Sequence, residues 1–189
     1  MIGISDELWK HIQEVAHTTA KEKGWWDAEP RPWPVMQCLF ASEVIEAFEW
    51  TRKGMKLDEI VEVGNEVPPK KEGPIVDLAD LIIRVADYAE SIGSLYTLSS
   101  AANDSQCRLI EVKYYSSGLE GYNRDCTFYM ELLRLIDNTS EFNTHLLLLI
   151  AAMTIIYCDH YSPGAIAETI QSKMSYNAYR SYRHGGKVL

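Results

Sequence analysis

LFASEVIEAFEW at positions 39–50 and IVDLADLIIRVADYA at positions 75–89 decide the reading of this chain. Each stretch places two acidic residues three apart in strongly apolar sequence: Glu43 with Glu46, and Asp77 with Asp80. Residues three apart share a helical face, and the apolar residues around them recur at the helical period. Glu49 continues near the first face; Arg84 and Asp87 continue the second stripe. The segments read as helices over about 35–53, stopped by Gly54, and about 74–91, opened by Pro74 and ending before Gly93. An unpaired carboxylate in such surroundings is strongly disfavoured, and four that converge also repel one another. A divalent cation removes both costs. Hard Mg²⁺ takes carboxylate oxygens and shares its shell with substrate phosphates, and facing helices are a common frame for such sites. Acids on solvated faces, or acids paired with Arg52, Lys53 and Arg84, fit the same spacing. The residues alone leave both readings open.

Outward from these helices the helical period continues. Ser5 suits an N-cap before a helix over 6–23, which Gly24 ends. GWWDAEPRPWP at 24–34, with three Trp and three Pro, reads as an ordered aromatic loop. Residues 58–74 carry Gly64, Pro68, Pro69, Gly73 and Pro74 and read as a loop with at most one helical turn at 58–63. Residues 94–105 are small and polar and read as a linker. Further helical patterns cover about 106–116, 122–138, 142–160 and 164–179, and RHGGKVL reads as a non-helical tail. No segment sustains a period of two. The expected fold is a single all-α domain over 1–189, an antiparallel helical bundle. VADYAESIG at 85–93 and IYCDHYSPG at 156–164 echo each other, as a degenerate second helix pair would.

Composition sets the outer bounds. With 18 Lys plus Arg against 27 Asp plus Glu, the net charge is −9, the wrong sign for a binder of nucleic-acid polymers. The balance is uneven. Residues 173–189 carry +4 and the other 172 carry −13, which suits a metal ion together with a phosphorylated ligand. The four cysteines form no C-x-x-C pair and read as reduced thiols of a cytoplasmic protein. The charged N-terminus does not read as a signal peptide. The most apolar run, Leu146 to Tyr157, is shorter than the about 20 residues a bilayer span needs and reads as a buried helix, with no membrane partner.

The basic end reads KMSYNAYRSYRHGGKVL. Lys173, Asn177 and Arg180 fall on one helical face, and Arg183, His184 and Lys187 follow it. Arg grips phosphate oxygens as a fork and Lys as a point charge; a solvated basic helix end is the alternative. His11, His17, His145 and His160 show no zinc spacing. Trp25, Trp26 and Trp33 can stack on a base or plug a core. No phosphate-binding glycine loop, dinucleotide fingerprint or nucleophile elbow is present in the sequence.

SEVIEAFE followed by DLADLIIRVADYA resembles the E-x-x-E … E-x-x-D signature of the all-α nucleoside triphosphate pyrophosphohydrolases, a superfamily that includes MazG, the dimeric dUTPases and phosphoribosyl-ATP pyrophosphohydrolase. The resemblance is to MazG-like proteins of bacteria and phages, in which KGWWD precedes the acidic helix and K-M-x-Y-N-x-x-R-x-Y-x-H-G-G-K closes the chain; here these are Lys23–Asp27 and Lys173–Lys187. It covers about 23–93 and 165–189; residues 94–160 carry no signature. The resemblance implies that Glu43, Glu46, Asp77 and Asp80 hold Mg²⁺, with Mn²⁺ as an alternative. It implies Glu43 and Glu46 as the catalytic carboxylates, Glu46 taking the proton of the attacking water. Lys173, Asn177 and Arg180 then bind phosphate, joined by Arg183, His184 and Lys187, with Trp25 or Trp26 at the base. The implied reaction turns a nucleoside triphosphate into the monophosphate and pyrophosphate, and the implied assembly is a homodimer or higher homo-oligomer. Two departures stand out. Asp77 replaces the usual Glu, and the 30 residues between Glu46 and Asp77 exceed the usual gap. The alternatives are a related enzyme of other specificity, such as a dUTPase or phosphoribosyl-ATP pyrophosphohydrolase, a nucleotide-binding protein without turnover, or a helical interaction protein.

Overall fold

The computed structural model describes residues 3–27, 31–65, 67–105, 107, 121–140 and 143–183. Among these it is all-α apart from one two-stranded sheet. The elements are α1 (Asp6–Glu22), α2 (Trp33–Arg52), β1 (Val61–Val63), β2 (Lys70–Glu72), α3 (Pro74–Ser91), α4 (Leu98–Ala102), α5 (Gly121–Asn138), α6 (Thr144–Tyr161) and α7 (Ala165–Tyr179).

Helix starts follow local chemistry. The Ser5 hydroxyl accepts from the Leu8 N–H at 3.2 Å, and the Asn143 side chain accepts from the Leu146 N–H at 3.1 Å. Such caps contribute about 1 kcal/mol each. α2 and α3 instead carry proline in the first turn, where the missing N–H has no helical partner in any case. α3 is the hub and packs against α1, α2, α6 and α7, while α5 lies on α2 and α6. That role matches its burial: Ile75, Leu78, Leu81, Ile82 and Val85 are all at or below 1% exposed. Each buried aliphatic side chain stabilises the fold by about 1.5–3 kcal/mol. α6 is long and apolar enough by composition to cross a membrane, yet its residues Leu147–Ile155 lie inside the core. No disulfide joins the four cysteines.

Three expectations change. The segment 58–74 is not a plain loop: Val61–Val63 pairs antiparallel with Lys70–Glu72, Val61 opposite Glu72 and Val63 opposite Lys70. α2 starts at Trp33, inside the expected aromatic loop. The linker 94–105 contains α4, capped by the Thr97 hydroxyl. The helix expected over 106–116 and the tail from His184 onward fall outside the described residues, Cys107 excepted.

Candidate functional site

The buried stripe of α2 runs Met36, Phe40, Glu43, Val44, Ala47, Thr51. Glu43 is therefore carried into the interior by its helix, at 3% exposed. Glu46, three residues on, lies about 60° off that stripe and is exposed. On α3, Asp77 is buried and Asp80 half-buried. Where α2 packs on α3, one ligand oxygen from each of Glu43, Asp77 and Asp80 lies within 4.8 Å of the others. Glu46 lines the same cleft outside this triad. The shared-face expectation thus resolves into three inner carboxylates and one at the rim.

Only part of this charge is answered by protein donors. Arg84 Nε donates to Glu43 Oε1 at 2.7 Å, and Lys173 Nζ reaches Asp80 Oδ2 at 2.8 Å. Asp77 Oδ2 is buried with no hydrogen-bond partner among the described residues, and so is Asn177 Oδ1 in the same cleft. Burial, followed by the charges of Glu43, Glu46 and Asp80, pushes the Asp77 carboxyl up to about 8; Lys173 opposes the rise. Burial likewise lifts Glu43 to about 7 against the pull of Arg84, with Asp80 and Glu46 adding to the rise. A hard cation suits this set. It offers three convergent carboxylates an opposite charge and gives the orphaned Asp77 oxygen a partner.

The cleft encloses about 600 Å³ and joins these acids to Lys173, Asn177 and Arg180 of α7 and its C-cap. Lys173, at 8% exposed, is the inner cation. Arg180 stands further out with its guanidinium 5.8 Å from the Tyr176 ring centre. Arg183 lies elsewhere. Its Nε donates to the Gly24 carbonyl at 3.2 Å and its guanidinium sits 3.8 Å from Asp27 Oδ2. It fastens the end of the chain to the aromatic turn rather than lining the cleft. His184 and Lys187 lie outside the described residues.

Trp25 lines the cleft, whereas Trp26 is turned to a structural task. Its indole N–H donates to Asp87 Oδ1 at 2.9 Å, beside His17 Nδ1 at 2.8 Å from the same oxygen. Arg31, 6% exposed, stacks 4.3 Å from the Trp26 ring centre, and its Nε donates to the Trp25 carbonyl at 2.6 Å. The two segments that carry the family resemblance meet here. Lys23 Nζ donates to the Ala178 carbonyl at 2.7 Å, the Arg183 N–H donates to the Lys23 carbonyl at 3.0 Å, and Tyr182 donates to Asp27. Gly24 permits the closeness: a Cβ there would stand 2.4 Å from the Tyr182 ring, at a backbone φ of +78°.

Sequence reasoning passed over Lys70 and Lys71 of β2 and Arg31, all of which line the cleft. A charged segment among prolines and glycines reads as a loop, and only the hairpin's pairing turns those lysines inward. No protein-family profile, curated protein or solved structure matches this chain.

Proposed function

We propose that the chain is a metal-dependent nucleoside triphosphate pyrophosphohydrolase of the MazG-like all-α type, releasing a nucleoside monophosphate and pyrophosphate. The observation that carries this reading is the convergence of Glu43, Asp77 and Asp80, with an orphaned oxygen on Asp77, in one cleft with Lys173, Asn177 and Arg180. Glu43, Asp77 and Asp80, with Glu46 at the rim, would hold Mg²⁺ or Mn²⁺. When bound, the metal supplies charge neutralisation at the phosphates and lowers the pKa of a water. Glu46, exposed to solvent at the cleft edge, is placed to accept a proton from water. Arg180, and Lys173 once released from Asp80, offer donors to charge developing on the departing pyrophosphate. Trp25 offers a ring face to the base.

In this reading α5 and α6 are a second helix pair that has lost its carboxylate set. The exposed Ile45 of α2 and the exposed Tyr122 and Met130 of α5 support docking of a second copy of the chain, which light scattering at micromolar concentration would detect as a dimer. The deciding experiment is a panel of ribo- and deoxyribonucleoside triphosphates incubated with Mg²⁺, Mn²⁺ or EDTA, read by product identity. Monophosphate plus pyrophosphate, abolished by EDTA, is the expected result. Thermal stabilisation by nucleotide and Mg²⁺ without any product would instead identify a sensor. A triphosphate preference confined to dUTP, or turnover only of phosphoribosyl-ATP, would identify one of the related enzymes.

A further inference from the structure

The hairpin lies within the 30 residues between Glu46 and Asp77, and its strand β2 lines the cleft with Lys70, Lys71 and Glu72. Its position is set by covalent closeness to the carboxylate helix. Gly73 joins β2 to α3, its φ is +143°, and a Cβ there would lie 2.3 Å from the Glu59 carbonyl oxygen. The Gly73 carbonyl in turn accepts from the N–H groups of Val76 at 3.0 Å and Asp77 at 3.2 Å. The two lysines are thus held at a fixed offset from Asp77.

Arg84 and Lys173 are committed to Glu43 and Asp80. Lys70 pairs with Glu72 on its own strand, and Arg180, at the C-cap of α7, lines the same cleft. Two elements remote in sequence therefore bring like charges to one cleft, with Glu72 offsetting Lys70 on the strand side. An anion between the two elements would be favoured. A terminal phosphate carries about −1.5 to −2 charge, so the distal phosphates of a triphosphate would balance the positive charges of Lys70, Lys71 and Arg180.

We propose that the β1–β2 hairpin is a grip for the distal phosphates of a polyphosphate, Lys70 and Lys71 closing on them opposite Arg180, so that the site selects triphosphates over shorter chains. This rests on the polyphosphate reading of the cleft given above. Because the grip contacts phosphate alone, inorganic triphosphate and a nucleoside triphosphate share the recognised chemistry.

Calorimetric titration of the full chain in MgCl₂ tests it, with inorganic triphosphate, pyrophosphate and a nucleoside triphosphate as separate probes. The wild type is expected to bind both triphosphates at least about tenfold more tightly than pyrophosphate. The K70Q/K71Q double variant is expected to lose about tenfold on both triphosphates and much less on pyrophosphate, with a shallower salt dependence and an unchanged melting temperature. A K71Q single variant, which leaves the Lys70–Glu72 pair in place, is expected to show part of the same loss. Equal triphosphate affinity in variant and wild type would overturn the grip while leaving the hydrolase reading intact. Binding of the nucleoside triphosphate but not of inorganic triphosphate would also overturn it, by moving recognition to the base and sugar. Absence of binding by every probe would overturn both readings together.

Discussion

Asp77 and Asp125 are buried to nearly the same degree, 7% and 4% exposed, and each stands on a helix packed against its sequence neighbour. Their surroundings differ completely. Asp125 on α5 faces α6, where Tyr157 donates to its Oδ1 at 2.6 Å and Tyr161 donates to the same oxygen. Arg124 bonds the Tyr161 hydroxyl in turn. Burial raises both tyrosines, Tyr161 to about 12, so their hydroxyls keep their protons and go on donating at any ordinary pH. Asp77 on α3 faces α2, which brings Glu43 and no donor to its Oδ2. Burial of a carboxylate is therefore not what marks a site. A carboxylate whose fold supplies donors belongs to the architecture; one whose fold supplies further acids would gain a partner from a cation.

That contrast can be broken in a graded series. The largest effect is expected from the inner triad and the rim acid: Glu43→Gln, Asp80→Ala and Glu46→Ala should each lower metal-dependent pyrophosphate release by at least about a hundredfold, measured on protein shown to be folded. Full activity in any of them would sink the assignment of that residue. Next, Mg²⁺ at about a hundred times its dissociation constant should stabilise the wild type by about 2.7 kcal/mol in thermal or urea unfolding. Asp77→Asn should lose most of this response and Asp125→Asn should keep it. Third, Asp125→Asn should cost about 1–3 kcal/mol, because the two hydroxyls would then donate to a neutral amide oxygen instead of a charged carboxylate. Asp77→Asn in metal-free protein at pH 8 should cost nothing or stabilise, since it removes an uncompensated buried charge.

The contrast also reaches the pH dependence of stability. Glu43 and Asp77 have folded-state values raised to about 7 and about 8, above those of an unfolded chain. The folded form therefore holds more protons between about pH 4 and pH 8. Their contribution to the stability of metal-free protein should be fully present below about pH 4 and be lost as pH rises to about 7 and 8. Saturating Mg²⁺, which requires ionised carboxylates, should flatten or reverse that slope. A metal-free stability curve that rises from pH 5 to pH 8 would contradict the buried, donor-poor environment of Asp77.

Much of this was legible before any coordinates. The i,i+3 acids on apolar helices, the proline at the head of α3 and the Lys173–Asn177–Arg180 face all follow from a period of 3.6 and from local capping rules, and α3 and α7 form within a residue of the expected bounds. The rest depends on partners distant in the chain. Nothing near Trp26 announces that its indole will meet Asp87, and nothing near Asp125 announces Tyr157 and Tyr161. The strands Val61–Val63 and Lys70–Glu72 are too short to display alternation, so the inward turn of Lys70 and Lys71 was hidden. The spacing of Glu43 and Glu46 placed both on one face, but the packing of α3 decides which of the two is swallowed.

The clasp of Lys23, Gly24 and Asp27 by Ala178, Tyr182 and Arg183, together with the reach of Lys173 to Asp80, has a bearing on how the molecule comes into being. The acidic helices leave the ribosome before α7, which carries the lysine that restrains one of them. Until α7 emerges and docks, a nascent chain holds its carboxylates without their inner counterion and its aromatic turn without its fastening. The inner counterion of Asp80 is in this way added only once α7 has been made and has docked.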